Sequence, residues 1–204
     1  CIGLFYNLIS LVDSLFSYQI GKKSIEKYSF LHNDVKVNFL QGARYVCSGI
    51  IEWLKQYSEY AAKLAVEADS EEEKKRLLKI SEVCGSISCN PPKNYYEAVQ
   101  WIHFAVLSDR MVGHGNGYGR LDQYLIKYYQ QGIADGTLTR ELAREYLAEM
   151  FLKLRGQFFC LGGRNRELKD ATNEMSYVVM EAYDMIDDYN NLGVMWHPDM
   201  DPEF

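Results

Sequence analysis

The sequence predicts a mostly α-helical protein with a few short strands, in which helices wrap around buried strands as in an α/β barrel or sheet. Residues 1–155 carry apolar side chains at helical spacing, with capping residues where the helices begin. Residues 156–204 contain two short apolar runs separated by one more helical pattern, which predicts a strand–helix–strand segment. We expect 1–204 to be a single partial domain made of these two parts. The start at Cys1 and the end at Phe204, directly after a strand-like run, suggest a segment of a longer protein.

Composition narrows the class of protein. Hydrophobic residues make up 48% and charged residues 25%, as in a folded chain and unlike a disordered one. The net charge is −6, and no dense Lys/Arg patch occurs, which argues against nucleic acid and anionic membranes as partners. Polar residues interrupt the apolar run 95–112, so it predicts a buried helix and not a membrane span. Five cysteines, an odd number, and the lack of a glycosylation sequon predict reduced thiols in a cytoplasmic protein.

The first part of the chain predicts three helices. Residues 2–20 are amphipathic, and 35–66 form a long helical region. Ser70 and Glu73 predict a capping box for a helix over about 70–84. The predicted buried face of the long helix consists of Val46, Ile50, Leu54, Tyr57, Ala61 and Leu64.

The prolines after Asn90 break the pattern, and three further helices are predicted before residue 156. Asn94 with Glu97 caps a helix that reaches about 112 and is apolar almost all round. A glycine-rich loop leads to a helix over about 120–133, and Thr139 caps a helix to 155. The predicted buried faces of the last two helices are Leu121, Tyr124, Leu125 and Tyr128, and Leu142, Tyr146, Met150 and Leu154.

The last part predicts a strand over 157–161, a turn at Gly162–Gly163, a helix over 171–187 capped by Asp170, and a strand over 191–197. His197 closes that second strand. Because strand ends face the pocket in an α/β barrel, His197 is a minor functional candidate.

The loop 113–119 is the strongest functional candidate, with glycine at every second position. Glycine tolerates positive φ and lets another group approach the backbone closely. A phosphate-binding role is a weak alternative, because no Gly-Lys-Ser/Thr follows and a helix precedes the loop. His114 could bind a ligand or simply be satisfied by the backbone. Arg120 and Asp122 are expected to form a structural ion pair that holds the loop.

The cysteines give no metal or nucleophile signal. The spacing of Cys84 and Cys89, with Cys47 and His103 elsewhere, lacks the paired motifs of a zinc site, so no metal is expected. Cys160 lies in an apolar run and is expected to be a core thiol.

Several short motifs together resemble the glycyl radical enzymes of the pyruvate formate-lyase type, from about Cys84 to the end. In order they are Pro91-Pro92, Tyr96-Glu-Ala-Val-Gln-Trp101, Gly113-His114, Gly119-Arg-Leu-Asp-Gln-Tyr124, Asp135-Gly-Thr-Leu-Thr139, Leu161-Gly-Gly163 and Asp170-Ala-Thr-Asn-Glu-Met-Ser-Tyr177. The resemblance implies the helical and first-strand portion of a glycyl-radical-enzyme α/β barrel. It implies a parent lyase or dehydratase that works anaerobically as a homodimer on a small-molecule substrate.

The resemblance also implies the chemistry. A separate radical S-adenosylmethionine activating enzyme installs a glycyl radical, no other cofactor is bound, and a cysteine thiyl abstracts hydrogen from the substrate. C–C, C–N, C–S or C–O bonds are then cleaved. The catalytic cysteine and the radical glycine are expected beyond Phe204, so no residue of this chain is assigned a catalytic role and the segment alone is expected to be inactive.

Residue by residue, the resemblance assigns substrate contacts to His114 and Gly115. Glycerol-dehydratase-like members have Ser where Gly115 stands, which argues against glycerol itself as the substrate. The stretch between Lys153 and Gly162 is shorter than in better-known members, so that Phe158 or Phe159 could supply the pocket aromatic. The residues matching the structural signature are Arg120, Asp122, Gln123, Asp170, Asn173 and Glu174.

The substrate arginines of pyruvate formate-lyase have no match here, which argues against formate acetyltransferase activity. Two alternatives to an enzyme stay open: a non-catalytic helical scaffold or interaction protein derived from the same fold, and a small-ligand-binding protein that uses the glycine loop.

Overall fold

A computed structural model describes residues 34–111, 113, 117–186 and 191–204. The described chain contains six helices and two strands: α1 (Asp34–Glu67), α2 (Glu71–Cys89), α3 (Tyr95–Met111), α4 (Leu121–Ala134), α5 (Arg140–Lys153), β1 (Phe158–Gly162), α6 (Glu174–Asp184) and β2 (Asn191–Met195). It divides between Pro92 and Lys93 into two compact units. The helix predicted over 2–20 lies outside the described residues.

The first unit is a packed helix pair whose contact face differs from the predicted one. The side chains of α1 that are buried are Cys47, Leu54, Ala61 and Ala65, whereas Val46 is 60% exposed and Tyr57 is also exposed. The prediction was wrong at Val46 by one position, because residue 47 and not 46 continues the seven-residue spacing of Leu54 and Ala61. Periodicity alone does not choose between adjacent apolar residues.

Helix α2 begins where predicted but continues five residues further. Ser70 accepts a hydrogen bond from the Glu73 backbone N–H at 3.1 Å, as a capping residue should. The helix continues through Gly85, past its predicted end. The glycine leaves room for the Ser58 hydroxyl of α1, which would lie 3.2 Å from a Cβ added at this position. The helix ends at Cys89, and Asn90 caps it through Ser86.

The second unit packs α3 to α6 around an apolar core. Asn94 accepts from the Glu97 N–H at 2.9 Å, and α3 buries side chains on several faces, as predicted. Thr139 caps α5 by accepting from the Leu142 N–H at 3.2 Å. Leu121, Leu125, Met150 and Leu154 are buried, as predicted. At three other positions the buried residue is the next one along the chain: Tyr129 in place of Tyr128, Ala143 in place of Leu142, and Leu147 in place of Tyr146.

Strands β1 and β2 are parallel neighbours connected through α6. Phe158 lies opposite Asn191, Cys160 opposite Gly193, and Gly162 opposite Met195. Helices α4 and α5 pack against α6, and α4 also packs against β1, whose Phe159 and Leu161 are buried. The predicted strand–helix–strand segment is thereby confirmed. No helix in the described ranges is both long and apolar enough to cross a membrane.

Candidate functional site at the carboxyl ends of the strands

The second half of the glycine loop pairs with β1 as a short parallel segment. The Tyr118 N–H donates to the Phe158 carbonyl at 2.8 Å, and the Cys160 N–H donates to the Gly119 carbonyl at 2.9 Å. A Cβ at Gly117 would lie 1.6 Å from the Phe158 oxygen, so only glycine fits there. The sequence predicted only a connection between two helices here. It did not indicate this pairing, because β1 lies about forty residues further along the chain.

Two of the predicted substrate-contacting residues, His114 and Gly115, lie outside the described residues. Their assignment stays a prediction. The structure describes the loop again from Gly117, where the segment joined to β1 begins, so the loop ends beside the strands.

Asp122 joins three elements at the carboxyl end of β1. Its side chain is fully buried, and its Oδ2 atom accepts from the Gly162 N–H and from the Ser176 hydroxyl, each at 2.8 Å. Its Oδ1 atom accepts from the Gln123 N–H at 2.8 Å. A buried carboxylate is tolerated only with such donors, and here they come from α4, β1 and α6.

Arg120 holds the same strand end from its carbonyl side. Its guanidinium donates to the Gly162 carbonyl and, at 3.3 Å, to the Arg164 carbonyl. The prediction that Arg120 and Asp122 form an ion pair with each other was therefore wrong. Among the described residues, each of these side chains binds the backbone at the end of β1 instead.

Gln123 and Asn173 fix the segment that enters α6. Gln123 donates to the Ala171 carbonyl at 2.7 Å, and the Asn173 amide donates to the same carbonyl at 3.1 Å. Asn173, and not Asp170, is the helix cap. The Asn173 side chain accepts a hydrogen bond from the Met175 N–H, and the Asn173 N–H donates to the Ser176 hydroxyl. Glu174 is exposed in the first turn, where its charge favours the helix dipole.

Asp170 instead links the loops that follow the two strands. Its Oδ1 atom contacts the Nε2 atom of His197 at 3.0 Å, and its Oδ2 atom accepts from the Asp201 N–H at 3.0 Å. Burial by itself raises the pKa of Asp170. Hydrogen bonds from Thr172, Asp201 and His197 outweigh that effect and lower the pKa to about 2. The carboxylate is therefore ionised at neutral pH, and Nε2 of His197 carries the proton that it donates.

His197 is 6% exposed, and its Nδ1 atom has no hydrogen-bond partner within the described part of the chain. The buried side chain is held by its hydrogen bond to Asp170. The predicted second strand was two residues too long: β2 ends at Met195, and His197 lies in the segment that follows it.

Phe158 and Phe159 point to opposite faces of β1, as successive strand residues must. Phe159 is fully buried, with its ring stacked on Phe151 at 5.0 Å, whereas Phe158 is 52% exposed. A ring packed in the core has no access to a ligand. The structure thus leaves Phe158 as the candidate for the pocket aromatic and corrects the alternative of Phe159.

The described cysteines show no activated thiol. Cys47 and Cys84 are buried, and burial raises the pKa of Cys84 to about 11. Burial, opposed by Arg120 and reinforced by Asp122, also raises the pKa of Cys160. Burial, and the charge of Lys153 after it, lowers the pKa of His103 to about 4. No group of three metal-binding side chains occurs within the described ranges.

Parallel strands connected through a helix, with loops fixed at their carboxyl ends, define a portion of an α/β barrel. A sequence profile of the pyruvate formate lyase-like family matches residues 19–204. The chain belongs to this family.

Individual relatives agree with the assignment. The isethionate sulfite-lyase of Nitratidesulfovibrio vulgaris is 28% identical over 192 residues, which cover 80% of this chain and 23% of the relative. A glycyl radical enzyme from Archaeoglobus fulgidus superposes with a TM-score of 0.77 at 26% identity, over 91% of this chain and 27% of that one. The glycerol-bound form of the B12-independent glycerol dehydratase from Clostridium butyricum gives 0.76 at 26% identity, over 90% and 26%. The chain therefore spans about a quarter of the length of the relatives it matches.

Proposed function

We propose that this chain is part of a glycyl radical lyase or dehydratase that acts on a small polar metabolite. A thiyl radical abstracts a hydrogen atom from the substrate, and a C–C, C–N, C–S or C–O bond is then cleaved. The observation that carries the proposal is that this chain is similar both to a lyase and to a dehydratase. The matched region includes the strand ends, where barrel enzymes bind their substrates.

The residues of this chain have structural and binding roles in that scheme. At the carboxyl end of β1, Asp122 accepts a hydrogen bond from the Gly162 N–H, and Arg120 donates one to the Gly162 carbonyl. His114 contacts the substrate from the glycine loop, and Phe158 contributes the ring that faces away from the helical core. Rigid placement of such groups is the protein's share of radical chemistry.

The radical machinery comes from outside the described residues. The proposal includes a glycyl radical installed by a radical S-adenosylmethionine activating enzyme, in a cytoplasmic homodimer under anaerobic conditions. None of Cys47, Cys84, Cys89 or Cys160 is assigned the hydrogen abstraction. Cys47 and Cys84 are buried, and burial raises the pKa of Cys84 and of Cys160.

The test is electron paramagnetic resonance of the full-length protein that contains this chain, prepared without oxygen together with its activating enzyme. The expected result is an organic radical signal that requires S-adenosylmethionine and disappears in air. Substituting the radical glycine with alanine is the matched control and should abolish the signal. A radical-free product under conditions that activate a known family member would overturn the enzyme assignment and favour the non-catalytic scaffold.

A further inference from the structure

An exposed apolar row runs along one face of α1. Its residues are Phe39, Ala43, Val46 and Ile50, which follow one another in alternating steps of four and three. Phe39 is 74% exposed and Val46 60%, while Ala43 and Ile50 are half-buried. Steps of four and three keep side chains on one side of a helix, and they are the spacing by which a second helix packs along it. These four residues are called the α1 row below.

The α1 row lies on the part of α1 that extends past α2. Only residues 68–70 connect the two helices, so the helices of this packed pair run antiparallel. The Ser58 hydroxyl donates to the Ser81 carbonyl at 2.7 Å and also adjoins Gly85. With a rise of about 1.5 Å per residue in both helices, the end of α2 then lies opposite about residue 52. The first half of α1 therefore has no support from α2.

The α1 row is poorly suited to water. Further along the same face, beside α2, come Tyr57 and Tyr60, whose hydroxyl groups can remain hydrated. The α1 row has no polar side chain, and contiguous exposed apolar surface marks a contact with another element. Because α1 and α2 are the helices of the described part of the first unit, we look for the missing partner among the residues that precede α1.

The segment 2–20 has the pattern and the length to cover the α1 row. The sequence predicts an amphipathic helix there, in which Leu4, Leu8, Leu11 and Leu15 again follow in steps of four and three. A second apolar row begins one position later at Phe5 and includes Ile9, whereas Ser10 lies on the remaining, polar side. A helix over 2–20 is about 28 Å long, and so is the part of α1 that extends past α2.

We infer that the segment 2–20 forms a helix that packs antiparallel on the α1 row. With the end of this helix beside the start of α1, Leu8 and Ile9 lie opposite Val46, and Leu15 lies opposite Phe39. The connection 21–33 turns the chain back between the two helices. The inference does not depend on the proposed function. A second copy of this chain and another part of the parent protein are the competing occupants of the α1 row.

The test is disulfide cross-linking in the full-length protein that contains this chain. Val46→Cys is combined with Leu8→Cys or with Ile9→Cys, the protein is oxidised, and peptide mass spectrometry identifies the joined cysteines. Because a disulfide requires Cα atoms within about 7 Å, at least about half of the protein should become linked within one chain in one of the two pairs.

Two matched pairs serve as controls, and each changes one side of the contact. Ser10→Cys with Val46→Cys uses the polar side of the segment, and Leu8→Cys with Ser48→Cys uses the opposite, exposed side of α1. Each control should link in less than about a tenth of the protein, since its Cα atoms are too far apart or its Cβ atoms point apart. Controls that link as strongly as the test pairs would overturn the inference, because the segment would then have no fixed position.

A gel run without reductant separates the competing occupants. Disulfide-linked pairs of chains would overturn the inference in favour of a second copy. The absence of any link would overturn it as well. Protection of Val46→Cys from iodoacetamide would then show that another part of the parent protein covers the α1 row, and free reaction would show that the row is bare.

A second measurement is independent of added cysteines. Val46→Asp places a charge in the α1 row and should raise the hydrogen-exchange rates of the 2–20 amides at least about tenfold, because the docked helix is released. Ser48→Asp adds the same charge on the other side of α1 and should leave these rates unchanged. The α2 amides are the internal reference and should keep their rates in both variants. Unaltered rates over 2–20 in Val46→Asp would reject the contact.

Discussion

Asp122 accepts a hydrogen bond from the Ser176 hydroxyl at 2.8 Å, which joins the first turn of α4 to the first turn of α6 across 54 residues of sequence. The same carboxylate oxygen accepts from the Gly162 N–H at the end of β1. Ser176 in turn accepts from the Asn173 N–H, so the cap of α6 is connected to the strand end through one carboxylate. The candidate site therefore depends on a single buried junction.

The first prediction concerns the strength of that junction. Asp122→Ala should lower the free energy of unfolding by about 3 kcal/mol, because it removes charge-assisted bonds and leaves the Gly162 N–H buried without an acceptor. Ser176→Ala should cost about 1–2 kcal/mol, since one donor and one cap are lost. Urea unfolding of the single and double variants forms a double-mutant cycle. Strictly additive effects would show that the two side chains do not interact.

The second prediction concerns Gly117. Gly117→Ala places a methyl 1.6 Å from the Phe158 carbonyl oxygen, so the segment must leave β1 and lose the hydrogen bond from Tyr118. The expected cost is about 3 kcal/mol or more, as for other severe core misfits. The melting temperature is the measurement. Gly49→Ala is the matched control: nothing lies within 4 Å of its added Cβ, and the helix should become slightly more stable. Equal melting temperatures for the two variants would contradict the pairing.

Local chemistry accounts for the features that the sequence predicted well. Ser70, Asn94 and Thr139 cap helices through neighbours three residues away, so a short window contains the whole interaction. The first strand was recognisable as an apolar run followed by the turn glycines Gly162 and Gly163, and the second as an apolar run that ends before Pro198.

What could not be predicted depends on distant partners. Asp170 has the side chain of a helix cap, but His197 and the Asp201 N–H bind its carboxylate, and Asn173 caps α6 instead. The importance of Ser176 depends on Asp122, and that of Gly117 on the Phe158 carbonyl. No residue near them in sequence indicates either contact. The alternation rule for strands could have separated Phe158 from Phe159, but it does not say which of them faces the core.

The third prediction concerns acid stability. Because the folded-state pKa of Asp170 is depressed to about 2, its ionised form stabilises the fold at neutral pH. That contribution is complete above the unfolded-state pKa, near 4, and it is lost as the pH falls towards 2. The side chain is partly exposed, so solvent screening reduces the contribution to about 1 kcal/mol.

Asp170→Asn should therefore be less stable than the unsubstituted protein at pH 6, and the difference should shrink between pH 4 and pH 2. Urea midpoints across this range are the measurement. Asp184→Asn, at an exposed carboxylate on α6, is the control and should show no such convergence. A stability difference that stays constant down to pH 2 would mean that the charge of Asp170 contributes nothing.

The fourth prediction concerns thiol reactivity. Cys89 is exposed, whereas Cys84 is buried and has its pKa raised to about 11. Only about one Cys84 thiol in a thousand is ionised at pH 8, and the thiolate is the reactive form. Iodoacetamide followed by peptide mass spectrometry should therefore modify Cys89 at least about a hundredfold faster. In urea the difference should disappear. Comparable rates in the folded protein would place Cys84 outside the core.

The fifth prediction separates the two phenylalanines of β1. Phe159→Ala should cost about 3–5 kcal/mol, because it empties a fully buried site stacked on Phe151 and adjacent to Tyr118 and Tyr183. Phe158→Ala should cost less than about 1 kcal/mol, since its ring is 52% exposed. In the full-length enzyme the order of effects on substrate binding should reverse: Phe158→Ala should raise KM, whereas mild conservative changes at Phe159, such as Phe159→Leu, should leave KM unchanged. A large loss of stability in Phe158→Ala would instead place that ring in the core, and it would remove the basis for assigning it to the pocket.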